Sequence, residues 1–340
     1  MRIGEQVAIV IDEKVVSADR FVEPIRGSHL SVRPLLRRSV LLICWVALGG
    51  CNLVLWNHDQ VLRAYERAGF KAHQVELRSG SMHYYDGGSG PPIVFVHGFA
   101  FGALETWEHQ IGPFSESHRV IAPDLFWFGG SQPNNAMDSA AAQAEALSEL
   151  LRHLHLDKAI IVGVSFGGFV AIRWALDHPE QIERLVLVDA AGLAPTSEEV
   201  ARIGQTFGKQ KIVDLLIPKS VSDLQNFMSK IFFRPRFVPD FVAKQILEQE
   251  LWHNREAKER ICARMEGGDF VLPSALRLIT ARTLLIWGRD DPLIVSSMAE
   301  RMLRAIPGAK LVFMNESKHS PMLEQPKRFN RELASFITGP

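Results

Sequence analysis

The run Ala159-Ile160-Ile161-Val162-Gly163-Val164-Ser165-Phe166-Gly167-Gly168-Phe169-Val170 constrains the fold more than any other stretch of the chain. Its first half is apolar and β-branched, the mark of a strand buried on both faces. It continues through Ala171-Ile172-Arg173-Trp174-Ala175-Leu176, which is good helix material. Between the two lies G-x-S-x-G, from Gly163 to Gly167. Strand, sharp turn and helix in that order hold a serine at the tip of a strained turn, and glycines without Cβ let strand and helix pass close beside it. The helix that follows aims its first N–H groups at any oxyanion formed on that serine. The bare pattern arises by chance about 0.1 times in a chain this long. A glycine-rich turn with an incidental serine is therefore the competing reading, and the flanking chain must decide.

Further strands follow the same rule. Ile93-Val94-Phe95-Val96, Val120-Ile121-Ala122, Leu185-Val186-Leu187-Val188, Thr283-Leu284-Leu285-Ile286-Trp287 and Lys310-Leu311-Val312-Phe313-Met314 are nearly continuous apolar runs. Between several of them lie helical stretches, such as Asp138 to about Leu156. Fully apolar strands alternating with helices predict an α/β fold, a mostly parallel sheet covered by helices on both faces. Ahead of it, His73–Leu77 and Met82–Tyr85 alternate like a hairpin around Arg78-Ser79-Gly80-Ser81, and Gly87 to Pro92 reads as a turn.

Two segments break the pattern. Between Gly192 and about Leu278 short helical pieces are interrupted by Pro218, Pro235, Pro239 and Pro273, with no strong strand. Leu215, Leu216, Ile217, Phe227, Met228, Ile231, Phe232, Phe233, Phe237 and Phe241 make this insert apolar. It is expected to be a helical cap over the carboxyl ends of the strands, where ligands of parallel sheets bind. Its apolar residues form either the roof of a site or the cap's own core.

The other segment, 39–56, carries no charged residue and follows Arg37-Arg38. As a helix of 18 residues it would span about 27 Å, close to a hydrocarbon core, with Trp56 at its end. Arginines on its N-terminal side favour an N-in orientation, with the remainder of the chain on the extracytoplasmic side. Leu48-Gly49-Gly50-Cys51 also resembles the lipobox of a bacterial lipoprotein, which would leave a lipid on Cys51. A buried core helix is the third reading. The domain plan is thus a poorly ordered tail over 1–38, a transmembrane or lipoprotein-signal segment over 39–56, a connecting helix over 57–72, a catalytic core over 73–192 and 279–340, and a cap over 193–278. Leu62, Ala64, Tyr65, Ala68 and Phe70 are the apolar positions expected of the connecting helix.

Composition excludes other classes. The formal net charge is zero and no basic stripe is interleaved with aromatics, so nucleic acid is not an expected partner. Three cysteines (Cys44, Cys51, Cys262) build no disulfide framework. Neither H-E-x-x-H nor C-x-x-C occurs, so no metal site is expected.

Five blocks, in order over roughly residues 73–340, resemble the α/β-hydrolase superfamily. They are His97-Gly98-Phe99 after a strand; Asp124-Leu125-Phe126-Trp127-Phe128-Gly129-Gly130-Ser131; the Ser165 elbow; Trp287-Gly288-Arg289-Asp290-Asp291-Pro292; and His319-Ser320-Pro321-Met322-Leu323-Glu324-Gln325-Pro326 followed by Phe329-Asn330. Within that superfamily the chain is most similar to membrane-anchored monoacylglycerol lipases and related bacterial lipases. Val188-Asp189-Ala190-Ala191-Gly192-Leu193, Phe233-Arg234-Pro235 and the N-terminal apolar segment carry that closer likeness.

The resemblance implies a Ser165–His319–Asp291 triad in the chain order usual for this fold. Ser165 attacks an acyl carbon, His319 takes its proton, and Asp291 fixes the imidazole. Backbone N–H groups of Phe99 and Phe166 are expected to form the oxyanion hole, which leaves their side chains freer to vary. Family spacing selects Asp291 over Asp290. Asp189 stands where some members of the fold place the acid. Asp124 reads as pinning its glycine turn and His97 as structural. Phe126-Trp127 replace Pro-Gly of the family turn, expected as apolar padding near a membrane, and Lys318 replaces the usual glycine before the base.

The expected activity is hydrolysis of carboxylic esters without a cofactor, on monoacylglycerols or related lipid esters at a membrane. A carbon–carbon bond hydrolase would keep the same triad but want basic residues for its acidic substrates. A catalytically silent binding module would be expected to lack a triad member. Epoxide hydrolases and dehalogenases need an acid at position 165 and, for the former, cap tyrosines; Tyr65, Tyr84 and Tyr85 all precede the cap.

Overall fold

Alternate residues of the central strands sort onto two faces. In the computed structural model, which describes residues 52–339 except Arg236, Val94, Val96, Ile161, Leu185, Leu187 and Leu285 join one apolar cluster. Their neighbours Ile93, Phe95, Ile160, Val162, Val186 and Leu284 join another on the opposite side. This is the period-two alternation of strands buried on both faces, and it explains why the sequence shows apolar runs rather than alternation.

Nine strands are described. They are β1 (Lys71–Leu77), β2 (Gly80–Gly88), β3 (Pro92–Val96), β4 (Arg119–Pro123), β5 (Gln132–Pro133), β6 (Ala159–Val164), β7 (Ile182–Val188), β8 (Arg282–Gly288) and β9 (Lys310–Met314). The order is β1-β2-β4-β3-β6-β7-β8-β9, with β5 on β2. The β1/β2 and β2/β4 pairs are antiparallel, and β4, β3, β6, β7, β8 and β9 run parallel. The chain reverses its stacking direction beside β3 and β6, the switch point at which parallel sheets bind ligands.

Helices cover both faces: α1 (Leu53–Arg67), α2 (Ala140–His153), α3 (Ser165–Asp177), then α4 (Ser197–Phe207), α5 (Ile212–Leu216), α6 (Val221–Ile231), α7 (Asp240–Ile246) and α8 (Arg255–Glu266) between β7 and β8, and finally α9 (Ser296–Ala305) and α10 (Pro326–Thr338). Local chemistry sets several of their ends. Ser139 and Ser220 each accept an N–H in the first turn of α2 and α6, and Thr196 and Glu199 make a reciprocal capping box on α4. The helical insert is closed at its neck by a bridge between Leu193 and Val271. It has small cores of its own, one around Leu224, Val242 and Leu247 and another around Phe207, Leu215 and Ile231.

Several expectations need correction. The first helix begins at Leu53, not 57, because the Asn52 side chain accepts the Leu55 N–H and caps it. The last four residues of the 39–56 segment are therefore the first turn of α1, and α1 ends at Arg67. Its buried face is Val61 and Tyr65, followed by Phe70, whereas Ala64 and Ala68 are exposed. Residues 1–38 and 39–51, on which the tail and most of the anchor segment fall, lie outside the described residues. Among the described residues no helix is long and apolar enough to cross a membrane. The Gly87-Gly88 turn is strand instead: β2 runs through it, and Phe70 packs on Gly87 where a side chain would stand. Phe126 is not padding at a mouth; it is fully buried, with its N–H given to Gln143.

Candidate active site

The strand-to-helix turn of Ser165 is as tight as its glycines allow. Ser165 has φ 52° at the first position of α3, a left-handed conformation that a side chain adopts at a cost of ~1–3 kcal/mol unless its surroundings impose it. A Cβ on Gly163 would overlap the Gly167 carbonyl, and one on Gly167 would overlap the carbonyls of Val96 and His97. The two glycines let β6, α3 and the end of β3 converge, and Ser165 is raised between them, half-buried.

The His319 ring completes a chain of hydrogen bonds. Its Nε2 lies 3.1 Å from Ser165 Oγ and its Nδ1 2.7 Å from Asp291 Oδ2. Asp291 follows β8, and its Oδ1 accepts the N–H groups of Leu293 (2.8 Å) and Ile294 (3.1 Å). Both carboxylate oxygens thus have donors, which fixes the orientation of the carboxylate toward the His319 ring. With Nδ1–H donating to Asp291, Nε2 is the acceptor for the Ser165 hydroxyl. The histidine loop is held from two sides. The His319 N–H donates to the Ile231 carbonyl at the end of α6. The Lys318 N–H and the Ser317 hydroxyl donate to Glu324 Oε1, while Glu324 Oε2 accepts the Phe233 N–H at 2.6 Å.

The other acidic and imidazole candidates are placed elsewhere. Asp290 is exposed and stands outside this chain of bonds. Asp124 accepts N–H groups from Ala103 (2.8 Å) and Gly130 (3.0 Å) and pairs with His83 (2.9 Å), so it fastens the loop after β4. His97 is fully buried. Its Nδ1 donates to the Gly98 carbonyl and its Nε2 accepts the Leu125 N–H, and burial holds its pKa below the ordinary value. Asp189 is fully buried and bonds the Gly288 N–H at 2.8 Å rather than His319.

The two residues expected to donate backbone N–H groups flank the serine. The loop after β3 passes so close that a Cβ on Gly98 would lie 3.4 Å from Ser165 Cβ, which sets Phe99 beside the elbow. Phe166 is in the first turn of α3, where N–H groups have no acceptor within the helix. Their side chains are less free than expected. Phe99, Phe128 and Phe166 form a buried triangle with ring separations of 5.4, 6.1 and 6.4 Å, which braces both backbones.

Ser165 and His319 open into a cleft enclosing about 860 Å³ of empty space, part of it open to solvent. The insert supplies Leu216, Leu224, Phe227, Met228 and Leu251 to its wall, and the core supplies Val164, Leu293 and Met322. Among the described residues no lysine or arginine lines it; besides His319, the ionisable side chain on the wall is Glu105. Sequence reasoning missed Glu105 and its partner His58, whose Nδ1 is 2.7 Å from Glu105 Oε1. That hydrogen bond raises the His58 pKa. The pair joins α1 to the cleft across 47 positions, a separation that no motif marks. Nearby, burial lifts Glu250 to about 7 and lowers Lys258 to about 8. Among the described residues no group of three or more His, Cys, Asp or Glu side chains could hold a metal ion.

The chain is similar to known lipases and hydrolases. Lipase 3 of Moraxella sp. (strain TA144) is 27% identical over 308 residues, covering 86% of this chain and 95% of that protein. The 2-hydroxymuconate semialdehyde hydrolase of Pseudomonas sp. (strain CF600) is 27% identical over 267 residues, covering 74% of this chain and 89% of that protein. A crystal structure of a membrane phospholipase A, described as a bacterial virulence factor, superposes with a TM-score of 0.74 at 26% identity, covering 89% of this chain and 97% of that one. The pattern of the alpha/beta hydrolase family matches residues 93–332, and the chain belongs to that family.

Proposed function

We propose that this hydrolase cleaves carboxylic esters of lipids, monoacylglycerols or related molecules, through an acyl-enzyme on Ser165. The observation that carries the reading is the combination at one cleft: a serine–histidine–aspartate chain of hydrogen bonds at 3.1 and 2.7 Å opening under an apolar wall that, among the described residues, holds no lysine or arginine.

The chemistry follows from that arrangement. Ser165 Oγ attacks the ester carbonyl carbon as its proton passes to His319 Nε2. Asp291 stabilises the imidazolium and fixes its tautomer. The carbonyl oxygen, now an anion, is met by the N–H groups of Phe99 and Phe166, each worth about 3 kcal/mol of barrier. The tetrahedral species collapses, the C–O bond to the alcohol breaks, and His319 returns the proton to the departing alkoxide. Water then attacks the acyl carbon as His319 takes its proton; the bond from that carbon to Ser165 Oγ breaks, His319 returns the proton to Oγ, and the free acid leaves. The apolar wall suits the acyl chain, and Glu105 beside it is unfavourable to anionic substrates.

The similarity to a 2-hydroxymuconate semialdehyde hydrolase supports a second reading, carbon–carbon bond hydrolysis by the same triad. The acidic substrates expected of such an enzyme would meet a wall that, among the described residues, holds the Glu105 carboxylate and no lysine or arginine, which weighs against it. A silent binding module is disfavoured by the intact serine, base and acid. A membrane location, by a single N-terminal span or a lipid on Cys51, agrees with the uncharged segment 39–56 and with Leu55 and Trp56, which are 54% and 44% exposed at the start of α1.

The test is hydrolysis of a graded series of monoacylglycerols and p-nitrophenyl esters by the full chain, with Ser165→Ala alongside. Ester cleavage that vanishes in Ser165→Ala is the expected result. A well-folded enzyme that leaves every ester intact but cleaves a vinylogous 1,5-diketone acid would overturn the reading in favour of carbon–carbon hydrolysis.

A further inference from the structure

Asp189 takes no part in the steps above, yet it is among the most deeply buried charged-type residues near them. It directly follows β7 with φ 39°, its N–H on the Ile286 carbonyl at 3.1 Å. Its Oδ1 accepts the Gly288 N–H at 2.8 Å. Its Oδ2 is sealed from solvent and has no hydrogen-bond partner of ordinary geometry. Among the described residues no basic side chain pairs with it. The largest charge acting on it is the Asp291 carboxylate, and Glu324 adds a second negative charge.

Two neighbouring buried carboxyls cannot share so few donors and both be ionised. Asp291 collects three donors, from Leu293, Ile294 and His319. Asp189 collects one. The proton therefore resides on Asp189, and burial together with the Asp291 charge pushes its pKa well above the carboxylate range.

Gly288 is where this matters. Its N–H goes to Asp189, its carbonyl accepts the Asp291 N–H at 3.2 Å, and its Cα abuts the Lys318 carbonyl. We propose that Asp189 is a positioning residue of the triad: in its acid form it anchors the Gly288–Asp291 turn and turns its free O–H edge toward Asp291, so that Asp291 alone faces His319 with a charge. The groups that bear on it are Asp291, Glu324 and, beyond Asp291, His319. This inference rests on the acyl-transfer reading.

The experiment compares Asp189→Asn and Asp189→Ala with the wild-type full chain. Asparagine is a neutral near-isostere that can accept from Gly288 and donate to Asp291. It is expected to keep kcat/KM within about threefold and to leave the acid limb of its pH profile in place. Alanine removes the anchor and is expected to lower kcat about 10- to 100-fold with KM little changed. If alanine fails to fold, Asp189→Ser serves in its place. Infrared difference spectra of wild type against Asp189→Asn at about pH 8 should show the carbonyl stretch of one protonated carboxylic acid, lost in the variant; this readout needs no turnover. A downward shift of the acid limb in Asp189→Asn, full kcat in the truncated variant, or no protonated carboxyl band would each overturn the proposal. A wild type without ester activity but with that band would instead fault the ester reading alone.

Discussion

Gly288 and Lys318 meet backbone to backbone, so that a Cβ at position 288 would overlap the Lys318 carbonyl oxygen and crowd that of Ser317. The loop carrying Asp291 and the loop carrying His319 are thereby held at one spacing. Neither can retreat easily. The Lys318 N–H is bound to Glu324 and the His319 N–H to Ile231, while the Arg289 and Asp290 N–H groups are bound to Met314 and Ser317.

Gly288→Ala should therefore part the two loops by a fraction of an ångström to an ångström. A displacement of that size at reacting groups costs about 100-fold in rate, and forcing one methyl into a packed contact costs roughly 1–3 kcal/mol. Loss of kcat with a lowered Tm, both measured on purified protein, is the expected pair of results. Wild-type kcat would show that the loops are not held at a required spacing.

The assignment of the acid is tested by two substitutions one position apart. Asp291→Asn leaves the shape but presents the wrong hydrogen-bonding edge to His319 Nδ1, and in triads of this kind the loss in kcat is about 10⁴-fold. Asp290→Asn alters an exposed side chain outside the hydrogen-bond chain and should change kcat by less than about twofold. Reversed outcomes would place the acid at 290.

The cap wall offers a test of which part of the substrate lies against it. Met228 is partly buried on α6 and faces the cleft with Leu224 and Phe227. Met228→Trp shortens the cleft there without touching Ser165 or His319. If the acyl chain occupies that wall, kcat/KM for long-chain p-nitrophenyl esters should fall at least about tenfold relative to short-chain ones, the scale set by one or two methylenes in an apolar pocket. A uniform loss across chain lengths would put the acyl chain elsewhere.

These sites differ in how far the sequence announces them. The Ser165 elbow is legible because its glycines are demanded by backbone contacts within one short stretch, and Asp291 and His319 follow β8 and β9 at family spacing. The strand core is legible because burial on both faces leaves unbroken apolar runs. What is hidden depends on partners far apart in the chain. Phe70 packing on Gly87 turns an apparent turn into strand, Gln143 draws Phe126 into the core through its N–H and carbonyl, and His58 meets Glu105 with no local pattern on either side. The start of α1 is hidden differently: the uncharged run 39–56 passes through Asn52 without interruption, yet asparagine is a strong helix cap and marks the boundary.

Stability against pH should depend on Glu250 and Lys258, two buried groups within the cap insert. Lys258 is 1% exposed, its ammonium bonded to the Glu250 carbonyl and 4.9 Å from the Phe128 ring centre. Burial raises Glu250 from 4.5 to about 7, so between those values the folded protein holds a proton that the unfolded chain has lost. A raised folded pKa makes a contribution that is fully present below 4.5 and is lost as pH rises toward 7. Lys258 is lowered from 10.5 to about 8, so its burial cost is greatest below 8 and is relieved as pH rises toward 10.5. Together the pair should leave its stability contribution lowest between pH 7 and 8. Glu250→Gln removes the first of these terms while keeping the shape. The fall in Tm from about pH 5 to about pH 8 should be smaller in Glu250→Gln than in wild type, because titrations elsewhere cancel in the comparison. Parallel Tm curves for the two proteins over that range would mean that Glu250 titrates alike folded and unfolded, and that the cap does not bury it.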